Sequence, residues 1–286
     1  MDNDYILRIN QALNYIYQNL DKNLTVDEIA GHCCFSKYYF NRVFKSVTND
    51  SIYSFIKRMK LENAAFKLRT NRRKSITEIA LEIGYSPSNF ASAFKEYFGI
   101  SASEFRKYDV PLKNSYYTVV DYIQSLKKQE DFFARIDSKI TVKHIEVMYL
   151  EYKRFHGNYF EGLGKAWEDF CLAMEQKYTV DKDTLFIGIS YDDPLLIDEN
   201  NCVYDMCIKV PKKTSINTHI VNEGYYACYE FHDRLENLIK SYNEIFALWM
   251  PFCKYKLIDR SCIEIYHSGL DAEGKINLDI CIPILE

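Results

Sequence analysis

The stretch ITEIALEIGYSPSNFASAFKEYFG, which begins at Ile76, repeats LTVDEIAGHCCFSKYYFNRVFKS, which begins at Leu24, with a constant offset of fifty residues. Val26 falls on Ile76, Glu28 on Glu78, Ile29 on Ile79, Ala30 on Ala80, Ser36 on Ser86, Phe40 on Phe90, Phe44 on Phe94 and Lys45 on Lys95, with no gap. A solenoid needs about three or more copies to bury its faces, so two copies point to one duplicated supersecondary unit with a paired task.

Each copy reads as two helices around a tight turn. Thr25 with Glu28 and Ser75 with Glu78 have the form of a capping box, in which side chains satisfy the free amides of a helix start. Ala30 and Ala80 are small residues where a second helix must pass close by. Gly84 stands where the turn demands positive φ, and Cys34 occupies the matching place less comfortably. Ser36 and Ser86 are expected to cap the second helices.

In the second helix of the first copy Phe40, Val43, Phe44 and Val47 form the buried stripe. Tyr38, Asn41, Arg42 and Lys45 take the opposite side, with Lys37 at the helix start. The outer face of such a trailing helix is the one placed to enter a DNA major groove, where Arg pairs with guanine, Asn with adenine and Lys with phosphate. The second copy presents Ser88, Asn89, Ser92 and Lys95, a set suited to phosphate contact and shape readout, so specificity is expected to rest mainly on the first copy. Between the copies, SIYSFIKRMKLENAAFKLR reads as a long helix packed on both, and Arg72, Arg73 and Lys74 form a basic turn.

This part of the chain, roughly Leu7 to Tyr108, resembles the DNA-binding domain of AraC/XylS-type transcription regulators, whose closing pattern is met by GISASEFRK at Gly99 to Lys107. The resemblance implies that the two trailing helices lie in successive major grooves on one face of the duplex, about 34 Å apart. One chain then reads an asymmetric site without dimerising.

Charge divides along the same line. Residues 1–110 hold 16 Lys and Arg against 12 Asp and Glu, a balance of +4; of the totals of 36 and 40, that leaves 20 against 28, or −8, for the remainder. Nine cysteines without a Cys-x-x-Cys spacing fit reduced thiols in cytoplasm better than disulfides or a metal site. No apolar run approaches the roughly 18 residues of a membrane span, so a soluble, cytoplasmic chain is expected.

Pro111 marks a break after the first domain. The expected limits are a DNA-binding domain at 1–109, a linker with a short helix at 110–137 and a second domain at 138–286. In the last, strand-like and helix-like periods alternate in the same order twice, as two β-α-β-β repeats around a cleft. The fold class is therefore multidomain, an all-α first domain of two helix-turn-helix units joined by a long helix, followed by an α+β domain. RFHGNY, GKAWEDF, GISYDDP and CIEIYH are similar to segments of GyrI-like effector-binding domains.

Strand alternation puts Cys262, Glu264 and Tyr266 on one face, with Gly188 near the matching position of the first repeat. The resemblance implies that Glu264 is an acidic residue in an aromatic pocket, and a carboxylate among aromatic rings suits an organic cation. Tyr149, Trp167, Tyr191, Tyr226, Tyr229 and Tyr266 are the candidate walls. The expected partners are double-stranded DNA, a small effector that is amphipathic or else cationic and aromatic, and RNA polymerase as a further candidate. No cofactor, metal ligand or catalytic residue is expected. The alternatives are a second domain that hydrolyses its ligand, with Glu264 and a neighbouring Tyr activating water, or one that docks a partner protein.

Overall fold

The computed structural model describes residues 3–48, 50–108, 125–129, 131–192, 199–213, 218–258 and 260–285. The chain separates into two compact units, Met1–Leu112 and Lys113–Glu286. Among the described residues no helix is long and apolar enough to cross a membrane.

The first unit is helical: α1 (Asn3–Gln18), α2 (Val26–His32), α3 (Lys37–Thr48), α4 (Ile52–Thr70), α5 (Ile76–Glu82), α6 (Pro87–Phe98) and α7 (Ala102–Tyr108). The fifty-residue offset persists in space, since α5 starts fifty residues after α2 and α6 fifty after α3. Ile9, Leu13 and Ile16 of α1 close one core with Ile29, Ala30, Phe40, Phe44, Phe55 and Met59. The other core is aromatic: the Phe94 ring lies 5.3 Å from Phe90, 4.5 Å from Phe98 and 5.5 Å from Phe105. Both halves meet α4. Its Lys60 Nζ donates to the Lys22 carbonyl (2.9 Å), its Glu62 accepts from Tyr97 Oη (2.6 Å), and its Lys57 pairs with Glu96 (2.9 Å).

The caps differ between copies. Ser75 and Glu78 form the full reciprocal box, with Ser75 N donating to the Glu78 carboxylate at 2.6 Å and Glu78 N to Ser75 Oγ at 3.1 Å. In the first copy only half of it exists: Glu28 N donates to Thr25 Oγ1, while the Glu28 carboxylate accepts from Tyr15 Oη of α1 at 2.5 Å. The expected second box thus gives way to a tertiary contact that ties α1 to α2.

Both turns need a left-handed residue. Gly84 has φ +75°, and a Cβ there would meet Lys60 Nζ at 3.1 Å and the Asp21 carbonyl at 3.3 Å. Cys34 has φ +56° with its side chain exposed. A side chain in that region costs about 1–2 kcal/mol, part of which the greater freedom of unfolded glycine offsets. Cys34→Gly is therefore expected to stabilise the first unit by about 1 kcal/mol, read as a higher denaturant midpoint in far-UV circular dichroism.

The second unit holds β1 (Ile140–Ile145), β2 (Met148–His156), β3 (Phe186–Ser190), β4 (Val203–Val210), β5 (Thr218–Val221), β6 (Gly224–Arg234), β7 (Ile263–Ser268) and β8 (Lys275–Ile284). All pair antiparallel in one sheet of order β1-β6-β8-β7-β3-β4-β2-β5. Its helices are α8 (Phe132–Asp137), α9 (Leu163–Lys177) between β2 and β3, and α10 (Leu238–Asn243) between β6 and β7. The stretch between β6 and β7 is broken into a 3-10 turn at Leu235–Asn237, α10 and a π-helical turn at Glu244–Trp249. Of the expected linker, residues 110–124 lie outside the described residues. Its end, α8, is part of the second unit's fold, since Asp137 accepts from Trp249 Nε1 at 2.8 Å.

Chain order and sheet order differ in an informative way. β1 pairs with β6 and β5 pairs with β2, so each half of the domain lends an edge strand to the other. At the centre β3 and β7 are hydrogen-bonded, with Gly188 opposite Glu264. The sheet is continuous across that join and is covered on both faces. Met148, Leu150, Ile187, Ile189, Cys207, Ile263 and Cys281 pack on one, and Phe170, Tyr204, Met206 and Ile208, with Trp167 and Phe186 beside them, on the other.

Candidate functional site

On α3, Phe40, Val43 and Phe44 point inward, which leaves the opposite side to solvent. Tyr38 is 89% exposed, Arg42 and Lys45 are exposed, and Asn41 is half-buried. Lys37 is exposed too, but its Nζ lies 2.6 Å from Asp27 Oδ2 of α2, and that carboxylate raises its pKa. The Arg42 guanidinium lies over the Tyr39 ring, 5.3 Å from its centre. On α6, Ser88, Asn89, Ser92 and Lys95 are all exposed, and Ser86 caps the helix by accepting from Asn89 N. The nine residues singled out for DNA are thus brought onto two helix surfaces, five on α3 and four on α6.

Glu264 of β7 is only 4% exposed. Its Oε2 accepts from Tyr204 Oη at 2.5 Å and Tyr266 Oη at 2.6 Å, and its Oε1 from Tyr242 Oη of α10; the Tyr204 and Tyr266 hydroxyls lie 2.9 Å apart. Burial, and then the negative charge of Glu264, hold all three phenols well above the usual tyrosine pKa. Each therefore stays protonated and able to donate. Gly188 makes the arrangement possible, because a Cβ there would fall 1.7 Å from Tyr204 Oη and 2.8 Å from Glu264 Oε2. The Trp167 ring of α9 lies 5.1 Å from Tyr266 and 6.1 Å from Tyr204, and its buried Nε1 has no hydrogen-bond partner among the described residues.

A model of the helix-turn-helix domain matches residues 29–108, and a model of the GyrI-like small molecule binding domain matches residues 138–285. The chain is similar to the Transposon Tn10 TetD protein of Escherichia coli (37% identical over 100 residues, 35% of this chain and 72% of TetD). It is similar also to the regulatory protein SoxS of E. coli K12 (32% over 99 residues, 34% of this chain and 92% of SoxS). A third relative is the HTH-type transcriptional activator AarP of Providencia stuartii (35% over 102 residues, 35% of this chain and 75% of AarP). The chain belongs to the AraC family of DNA-binding transcription regulators and carries a GyrI-like domain.

Not every wall expected around Glu264 is there in this AraC-family regulator. Tyr149 packs on the aromatic cluster beside Tyr204 and Trp167. Tyr229 shares the sheet face with Glu264, two strands away across Ile280, but is 2% exposed and accepts from Lys139 Nζ at 3.2 Å. Tyr191 and Tyr226 belong to the opposite face. The reason is parity: Tyr191 follows Gly188 by three residues and Tyr226 precedes Tyr229 by three, and an odd step along a strand changes face. Two donors to Glu264, Tyr204 and Tyr242, were not among the expected residues.

The opposite face of the regulator's sheet carries a second charged group. Asp205 is fully buried; it accepts from Arg154 Nε and Nη2, both at 2.7 Å, lies 2.7 Å from His219 Nε2, and accepts from Tyr191 Oη at 2.9 Å. Arg154 and Asp205 stand directly opposite in the β2–β4 register, and Tyr152 stacks on the His219 ring at 4.0 Å. This cluster is a lock between strands.

Proposed function

We propose that the regulator reads DNA with the exposed faces of α3 and α6 and senses a small cationic, aromatic molecule at Glu264. The observation that carries the DNA reading is the exposure of Tyr38, Arg42 and Lys45 on a helix whose other side is buried. In this reading α4 holds two helix-turn-helix units side by side, so that one chain meets two successive major grooves. The first head sets most of the specificity, because Arg42 and Asn41 have Ser92 and Ala91 at the equivalent places of the second. The working limits are 1–109 for DNA binding, 110–137 for the linker and 138–286 for sensing, in a cytoplasmic protein.

In the second unit the reading takes the strand exchange as two β-α-β-β repeats, with the sensing site over their junction. A buried carboxylate beside the Trp167, Tyr204 and Tyr266 rings supports a cation as the ligand, through charge pairing and cation–π contact. The three phenols occupy three of the roughly four acceptor positions of Glu264, two on Oε2 and one on Oε1; Tyr242, on α10, is the one contributed by a helix. Binding alters transcription by favouring one of two conformations.

Selection of bound DNA from a random pool tests the DNA reading. With Arg42→Ala, preference is expected to relax at one cluster of bases, by about 1–3 kcal/mol, and to persist elsewhere. Lys45→Ala is expected to weaken binding to all sequences alike and to lower the slope of log affinity against log salt by about 0.9. Relaxation spread evenly over the site in Arg42→Ala would remove Arg42 as a base reader.

A further inference from the structure

Arg42 is the lone arginine on either reading face, and the structure gives it a neighbour that the DNA reading does not use. Tyr39 is part-buried and sits one turn before Arg42 on α3, with the guanidinium carbon 5.3 Å from its ring centre. The same ring sits in an aromatic cluster: the Phe35 ring lies 5.6 Å away and the Tyr5 ring of α1 5.9 Å away, and Tyr5 stacks on Phe35 at 6.2 Å with 20° between planes. Arg8, also of α1, lies over the far part of this stack, 5.3 Å from the Phe35 ring, and its Nη1 approaches the carbonyls of Cys33 and Cys34 at 3.4 Å. The ladder from α1 through the turn therefore ends on the Arg42 side chain.

A guanidinium held over a ring by cation–π attraction need not spend its N–H donors on the ring. Its N–H donors lie in the plane and remain free for a base edge, and a side chain already held in one orientation loses less freedom when it binds. The second copy has nothing comparable, since Asn89 and Ser92 stand at the two positions fifty residues on. We propose that Tyr39 is a specificity-setting positioning residue: its ring face pre-orients Arg42 for the bases, so that discrimination by the first head depends on a side chain that reads no base itself. This rests on Arg42 reading bases.

The test uses the full chain, with random-pool selection and competition binding for Tyr39→Phe, Tyr39→Leu, Arg42→Ala and the double variant Tyr39→Leu/Arg42→Ala. Tyr39→Phe is expected to keep wild-type preference. Tyr39→Leu is expected to lower discrimination roughly two- to fivefold, the scale of an exposed cation–π contact, and only at the bases that Arg42→Ala relaxes, with the salt slope unchanged. In the double variant Tyr39→Leu is expected to add nothing. Uniform weakening in Tyr39→Leu, unchanged discrimination, or an additive double variant would each overturn the inference while leaving Arg42 a base reader. No localised relaxation in Arg42→Ala would remove the base-reading role and the inference with it. Should Tyr39→Leu fold poorly, Arg42→Lys supplies the second measurement, since it keeps the charge on an exposed residue and removes the guanidinium that the ring holds; discrimination that survives it undiminished overturns the inference.

Discussion

Arg154→Met is expected to destabilise the second unit by about 3–5 kcal/mol, the usual consequence of leaving one partner of a buried ion pair alone. The carboxylate of Asp205 has no solvent to fall back on, and Arg154 supplies two of its hydrogen bonds. With the guanidinium gone, Tyr191 and His219 remain, and the unit must either bury a poorly compensated charge or protonate it. Both tryptophans, Trp167 and Trp249, lie in this unit, so urea denaturation of the full chain followed by tryptophan fluorescence reports it selectively. A double replacement, Arg154→Met with Asp205→Leu, should recover much of the loss, because it removes both charges together. A loss below about 1 kcal/mol in the single variant would mean that the pair is not the lock described above.

The same pair fixes an acid limit. Burial alone would raise the Asp205 pKa, but Arg154 and His219 outweigh it and hold the folded-state value below that of an ordinary aspartate. The stabilisation is therefore fully present above about pH 4 and is lost as pH falls below it, where the unfolded chain takes up the proton more readily. Asp205→Asn should flatten the decline of stability between about pH 4 and pH 2.

Gly188→Ala is the second substitution with a large expected effect. The added methyl would occupy the place of the Tyr204 hydroxyl, and the ring carbon behind it would be only 2.6 Å away. Tyr204 is buried between Trp167 and Tyr159, so it cannot swing aside freely. Overpacking of this kind costs about 1–3 kcal/mol. It also breaks the short hydrogen bond to Glu264, which should appear as a changed tyrosine signal in near-UV circular dichroism. An unchanged spectrum and midpoint would show that the glycine has no steric task. A companion, Glu264→Gln, keeps the shape and removes the charge. Its affinity for tetraphenylphosphonium should fall at least tenfold, about 1.4 kcal/mol, with little change for a neutral aromatic of similar size.

What was legible in the sequence followed from local physics. The duplication fixed α2, α3, α5 and α6, because caps, turn residues and a 3.6-residue stripe are written within a few positions of one another. Alternation put Glu264 and Tyr266 on one strand face and the repeat put Gly188 near the matching position, while the role of Glu264 came from the resemblance to GyrI-like domains. What escaped was non-local. Tyr191 and Tyr226 are candidate walls by residue type, yet parity sends them to the face opposite Glu264. Tyr204 and Tyr242 reach Glu264 from 60 and 22 residues away, contacts that only the sheet order and the placement of α10 create. Glu28 likewise gave up half of its capping box to Tyr15, a partner on another helix.

Hydroxyl-radical footprinting of a selected DNA site bound by the full chain bears most directly on the two-headed reading. Two protected windows about one helical turn apart, on one face of the duplex and present when binding is monomeric, are the expected result. A single window, or two that appear only with a second copy bound, would contradict it.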